Sequence, residues 1–129
     1  MYELQINKST YEFNFGMGFM REINKTIAVP VENIKGKTKD IGLQYKVAEM
    51  LDGDLDALED VLLVANKGFT PRLERTELDK HIEDESTDID ALFDTVLGFL
   101  ENANATKKCL QEIEKAIEEE KAKQEAAKK

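Results

Sequence analysis

Asp54-Leu55-Asp56-Ala57-Leu58-Glu59-Asp60-Val61-Leu62-Leu63-Val64-Ala65-Asn66-Lys67-Gly68 is the stretch from which the rest of the fold is read. Leu55, Leu58, Val61, Leu62 and Ala65 recur at helical spacing, and Leu63 and Val64 widen the apolar stripe around most of the helix. A helix apolar on most sides is a central one that other elements surround. Asp54 is placed to cap it, because a short carboxylate accepts from the free N–H groups of a first turn. Gly68 is placed to stop it. The longest strictly apolar run of the chain, Val61–Ala65, lies here and spans five residues. A membrane-spanning helix needs about 20.

Working towards the N-terminus, Asp52-Gly53 separates the central helix from another, with Asp40 as its expected cap and Leu43, Val47, Met50 and Leu51 as its buried stripe. Residues 29–40 (VPVENIKGKTKD) show little periodicity and read as a loop, the one locally basic stretch outside the C-terminal tail. Pro30 ends any helix reaching it, since the residue before a proline is pushed to an extended conformation. The helix before that loop starts near Gly16–Gly18 and aligns Phe19, Met20, Ile23 and Ile27. Residues 2–15 read as a β-hairpin. Tyr2, Leu4 and Ile6 alternate with polar residues, Asn7-Lys8-Ser9 turns the chain, and Tyr11, Phe13 and Phe15 alternate again. Period-two alternation puts each triplet on one face. Two strands alone are marginal in water, so the hairpin must lie on apolar surface, the following helix being the nearest.

Towards the C-terminus, Thr70-Pro71 marks a new helix that starts at Pro71, or later with Thr76 as cap, and buries Leu78 and Ile82. After the polar residues 83–88, Thr87 is the expected cap of a strongly amphipathic helix carrying Ile89, Leu92, Phe93, Val96, Leu97 and Leu100. Asp88 and Asp90 fall in its first turn, where the helix dipole favours them. A last helix starts near Thr106. Leu110, Ile113 and Ile117 give it a narrow stripe, flanked by Cys109 and Ala116, and beyond Ile117 nothing larger than alanine is apolar. The expected architecture is thus α+β and mostly α: an N-terminal β-hairpin, then about five helices, the last projecting. Residues 1–117 form a single domain, and 118–129 form a charged tail that is helical or disordered.

Charge narrows the function. The 129 residues carry a net charge of −9, and it is unevenly spread. Residues 51–106 hold four basic against fifteen acidic side chains, net −11, whereas 1–50 and 107–129 are each +1. Such a middle repels phosphate backbones, so direct nucleic-acid binding is disfavoured. It suits solubility, a basic partner, or a regulator that mimics DNA. One cysteine excludes an internal disulfide, and one His with one Cys does not make a zinc site. The start of the chain has no basic region followed by an apolar run, so no secretory signal is expected and the cytoplasm is the economical location.

Catalytic patterns are likewise missing. An EF-hand counted from Asp52 would place Ala57 where the turn glycine belongs and Leu63 where the bidentate glutamate belongs. Helix capping explains these aspartates better. His81 has only carboxylates as neighbours of the right type and reads as a surface residue, and Cys109 reads as a small, half-buried hydrophobe without a base. Gly16-Met17-Gly18 lacks the third glycine and the βαβ setting of a dinucleotide fingerprint. With no phosphate loop, nucleophile elbow, cofactor motif or His-based triad, and with no tryptophan to wall a sugar cleft, the remaining class is a binding or assembly protein.

Several stretches carry a resemblance. They are Tyr11 to Phe19 (YEFNFGMGF) with Arg21-Glu22-Ile23-Asn24, Gly42-Leu43-Gln44-Tyr45 with Gly53-Asp54, and Val61 to Gly68 (VLLVANKG). They continue with Pro71-Arg72-Leu73, Leu78-Asp79, Asp88 to Phe93 (DIDALF) and Ala103-Asn104-Ala105-Thr106. In number and order these pieces, over roughly residues 2–110, resemble the tail assembly chaperones of long-tailed phages and prophages of Gram-positive bacteria. The resemblance implies a non-virion helper in the host cytoplasm that coats the long tape-measure protein before the tail tube polymerises. It also implies a frameshift-extended form that recruits tail tube subunits, of which this chain would be the short version. A chaperone of that kind needs an apolar stripe left over for its client and charge to keep the complex soluble. Leu110, Ile113 and Ile117 are the candidate partner-binding residues, facing either a helix of the client or of a second copy, or else this chain's own core. The alternative reading is an acidic DNA mimic or regulatory binding protein.

Overall fold

In the computed structural model, which describes residues 2–127, the alternating N-terminus forms a hairpin of β1 (Tyr2–Ile6) and β2 (Ser9–Phe13). Tyr2 faces Phe13 and Leu4 faces Tyr11, so the apolar residues of both strands share one side. Asn7 adopts the left-handed conformation (φ 57°) that a tight two-residue turn demands. The hairpin lies on more than its neighbouring helix. Phe15 meets Phe19 of α1 (Met17–Asn24) edge-on, with centroids 5.1 Å apart. It also lies 5.9 Å from Phe99 of α5 (Ile89–Asn102), and Tyr2 lies 4.8 Å from the same ring. Aromatic pairs of this kind add about 0.5–1.5 kcal/mol each beyond their buried area, so they tie hairpin, α1 and α5 into one core.

The chain between α1 and the next helix departs from the sequence reading. α1 ends at Asn24, and Ile27 lies outside it, half-buried. Residues 29–40 are not a loop. Ala28–Pro30 (β3) and Thr38–Asp40 (β4) pair as a second antiparallel hairpin, with Asn33 and Gly36 at positive φ in its tip. Pro30 is tolerated because it ends a short edge strand. Asp40 is held in that strand and does not cap α2 (Gly42–Leu51), whose N-cap is Ile41. The cap comes from another helix: Asn24 Oδ1 at the end of α1 accepts from Leu43 N at 3.0 Å. The two helix ends approach so closely that a Cβ on Gly42 would collide with the Ile23 carbonyl. Only glycine fits there.

α3 (Leu55–Ala65) is the central helix expected, capped by Asp54 Oδ1, which accepts from Ala57 N at 3.0 Å. Leu58, Val61, Leu62 and Ala65 are buried, while Leu55 faces out. Its C-terminus is fastened by Asn66, which is fully buried. Asn66 Nδ2 donates to Glu12 O (3.0 Å) and Pro71 O (3.4 Å), and its Oδ1 accepts from Leu73 N (2.6 Å) and Arg72 Nη1 (2.9 Å). One amide side chain therefore joins β2, α3 and the segment leading to the next helix. That helix, α4, covers Arg75–Glu83 with Glu74 as N-cap, so it starts neither at Pro71 nor from a Thr76 cap. Likewise Asp88, not Thr87, caps α5, accepting from Ala91 N at 3.0 Å. The Thr87 hydroxyl is engaged elsewhere, donating to His81 O at 2.6 Å. α6 runs from Lys107 to Ala127, making six helices and two hairpins among the described residues.

Candidate partner-binding surface

α6 brings the three expected partner residues into different surroundings. Leu110 is 1% exposed and belongs to the core, Ile113 is half-buried against that core, and Ile117 is 36% exposed. The stripe thus leaves the protein body as it climbs the helix. Leu110 holds α6 down, and the Ile113–Ile117 end is what a partner could touch. Side-chain spacing is identical in both situations, so the sequence could not divide the three. Beyond Ile117 the side chains of residues 118–126 are exposed.

A larger apolar opening lies where α1, α2 and α6 meet. It is a groove of about 530 Å³ lined by Met17, Met20, Leu43, Gln44 and Cys109, among others. Lys39, Asp40, Lys108 and Glu112 give its border both signs of charge. A second depression of about 610 Å³ adjoins it, reaching Tyr2 and Phe15, and Met17, Asn104 and Ala105 line both. Met17 is therefore the ridge common to the two depressions, which together make a double trough, and it is 51% exposed. The first position of α1 puts it there, with Phe19 and Ile23 turned to the core on the opposite side. Methionine is unbranched and polarizable, so such a lining adapts to irregular apolar partners. Sequence reasoning placed Met20 in the core stripe and passed over Met17. The available signal was that Met17 falls off the Phe19–Ile23 face.

Among the described residues the titratable groups do not assemble a reaction centre. Cys109 is half-buried, and burial followed by the nearby Glu112 charge pushes its thiol up, which keeps it protonated and unreactive. His81 is half-buried, not a free surface residue, and its Nδ1 accepts from Asn7 N at 3.4 Å. Glu59 is buried, and its carboxyl is pushed up to about 7 by desolvation and by a hydrogen bond with Asp79, against the opposing pull of Arg75. Arg75 bridges α4 to α3 through Glu59 Oε1 (2.9 Å) and Asp60 Oδ1 (2.6 Å), and Lys46 of α2 holds Asp60 Oδ2 at 2.9 Å. Several acids of the −11 segment are therefore structural: Asp54 and Asp88 cap helices, and Glu59 and Asp60 fasten three helices together. Among the described residues no cluster of three or more His, Cys, Asp or Glu is arranged to hold a metal ion.

A trough with an adaptable lining, next to a half-exposed helix stripe, is suited to hold a polypeptide. Comparison with known proteins agrees with that class. The family model described as "Phage tail assembly chaperone protein, TAC" matches residues 3–115. No curated protein and no solved structure matches the chain significantly.

Proposed function

The chain belongs to the phage tail assembly chaperone family, and from that premise we propose that it is a stoichiometric, non-catalytic binder of the tape-measure protein in the cytoplasm of the infected cell. The observation that carries this reading is the methionine-ridged trough between the hairpin, α1, α2 and α6. A tape-measure protein is long and helical, and before the tube forms it exposes apolar surface that must be covered. The trough and the adjoining Ile113–Ile117 end of α6 supply apolar cover, and the net charge of −9 keeps the complex soluble. Recruitment of tail tube subunits belongs, in this reading, to a frameshift-extended form of the same chain.

Co-expression with a tape-measure protein tests the proposal. The client is expected to become soluble and to co-purify in fixed proportion, and Met17→Glu is expected to lose it while leaving the thermal midpoint in place. A client that stays insoluble and unbound beside folded wild-type chain refutes the reading.

A further inference from the structure

Two places of opposite charge on this chain are joined by no ion pair among the described residues. One is the tip of the β3–β4 hairpin. Ile34 sits there with 49% of its surface exposed, a large apolar side chain presented to water; the exposed Glu32 precedes it, the exposed Lys35 and Lys37 follow it, and neither lysine has a carboxylate partner among the described residues. The tip is held by its own backbone, with Val31 N donating to Lys37 O at 3.0 Å, so its side chains are not needed to shape it. The other place is the corner between α4 and α5. Residues 81–106 contain seven carboxylates and no lysine or arginine. At that corner a depression of about 350 Å³ takes its apolar contact from Ala91 and Leu92, and the rest of its lining is polar, including Asn7, His81, Asp84 and Asp88. Glu83 and Glu85 stand exposed beside it and are bound to nothing among the described residues. Asp84 stays charged, because hydrogen bonds from the Ser86 N–H and hydroxyl hold its carboxyl below the usual range.

We propose that copies of this chain associate head to tail, the β3–β4 tip of one copy seating Ile34 in the acid-edged depression at the α4–α5 corner of the next, with Lys35 and Lys37 against Glu83 and Glu85. An exposed apolar residue followed by two lysines suits an acidic partner surface that also offers some apolar contact, and this chain carries such a surface itself. The contact joins two different patches, so it is heterologous and extends into a row of copies wherever the rotation does not close. The net charge of −9 repels like copies at long range. At physiological salt that repulsion is screened beyond ~8 Å, and the short-range pairs remain. The association is therefore weak and disfavoured by high salt. It concerns contacts between copies without any client, and so stands or falls separately from tape-measure binding.

Paired charge reversal tests it, with the chain alone in solution. Sedimentation of the wild type is expected to show concentration-dependent association that fades at ~1 M salt. K35E/K37E and E83K/E85K are each expected to associate at least ~tenfold more weakly, with unchanged circular dichroism. An equal mixture of the two is expected to regain the wild-type behaviour, because each reversed tip then finds a reversed corner. Ile34→Ser is expected to weaken association without altering its salt dependence. A wild type that stays monomeric at the highest attainable concentration overturns the proposal, as does a mixture that fails to recover or association that survives both reversals.

Discussion

Replacing Asn66 with leucine is the sharpest test of how this fold is joined. Leucine has nearly the same size, so the substitution removes hydrogen bonds and adds little strain. It strands Leu73 N, which belongs to a buried residue, and leaves Glu12 O and Pro71 O without the amide. A buried backbone group left without its partner costs about 1–3 kcal/mol. The buried Leu73 N–H and the half-buried Glu12 carbonyl, with the exposed Pro71 carbonyl left to water and the loss partly offset by the added apolar burial, amount to about 3 kcal/mol. For a chain of this length that lowers the melting temperature by about 10–15 °C. Urea unfolding followed by far-UV circular dichroism should show a lower midpoint with an unchanged slope. Amide exchange should accelerate first at Leu73, and at Asn14, whose N–H donates to Ala65 O at 2.9 Å. Asn66→Asp keeps the acceptors but sets a buried carboxylate against two carbonyls, so it should lose stability at neutral pH and regain part of it in acid. An Asn66→Leu variant within 1 kcal/mol of wild type would show that the hairpin and the α3–α4 segment are held by something other than this side chain.

Further outcomes follow from other sites. Gly42→Ala forces a methyl group onto the Ile23 carbonyl and should cost about 1–3 kcal/mol, measured by urea unfolding. Because the Glu59 carboxyl titrates at about 7 in the folded chain and near its ordinary value when unfolded, the unfolded state releases its proton first. Its stabilising contribution is complete below about pH 4.5 and is lost as pH rises through 7, a difference of roughly 3 kcal/mol; Glu59→Gln should flatten that slope in unfolding measured between these pH values. Asp60 works in the opposite sense, since Lys46 and Arg75 outweigh its desolvation and lower its carboxyl, so its contribution is present at neutral pH and lost on acidification. A chain ending at Ile117 should melt within about 2 °C of wild type, because surface positions away from caps and pairs contribute little, and the side chains of residues 118–126 are exposed.

What the sequence shows of this fold is what periodicity and local capping control. The hairpin at residues 2–15, the central helix with its Asp54 cap and the stripe from Leu92 to Leu100 are each specified by side chains within one element. The errors arise where a distant group intervenes. Asp40 looks like a cap, but Asn24 from another helix occupies that role. Ile27 continues a helical spacing that ends at Asn24. The hairpin at 28–40 is three residues per strand, too short for alternation to register. The same limit governs the candidate surface. Leu110, Ile113 and Ile117 form one stripe by spacing, and only packing separates the buried first member from the exposed last. Met17 was legible as a residue off the buried face of α1, but the trough beside it is made by four elements meeting in space.

Photo-crosslinking in the client complex tests the central claim most directly. A crosslinking residue at position 17 should capture the co-expressed tape-measure protein, one at position 117 should capture it less, and one at position 8, on the hairpin turn, should leave it free. Capture from position 8 with none from 17 or 117 would place the client elsewhere on the molecule and contradict the account.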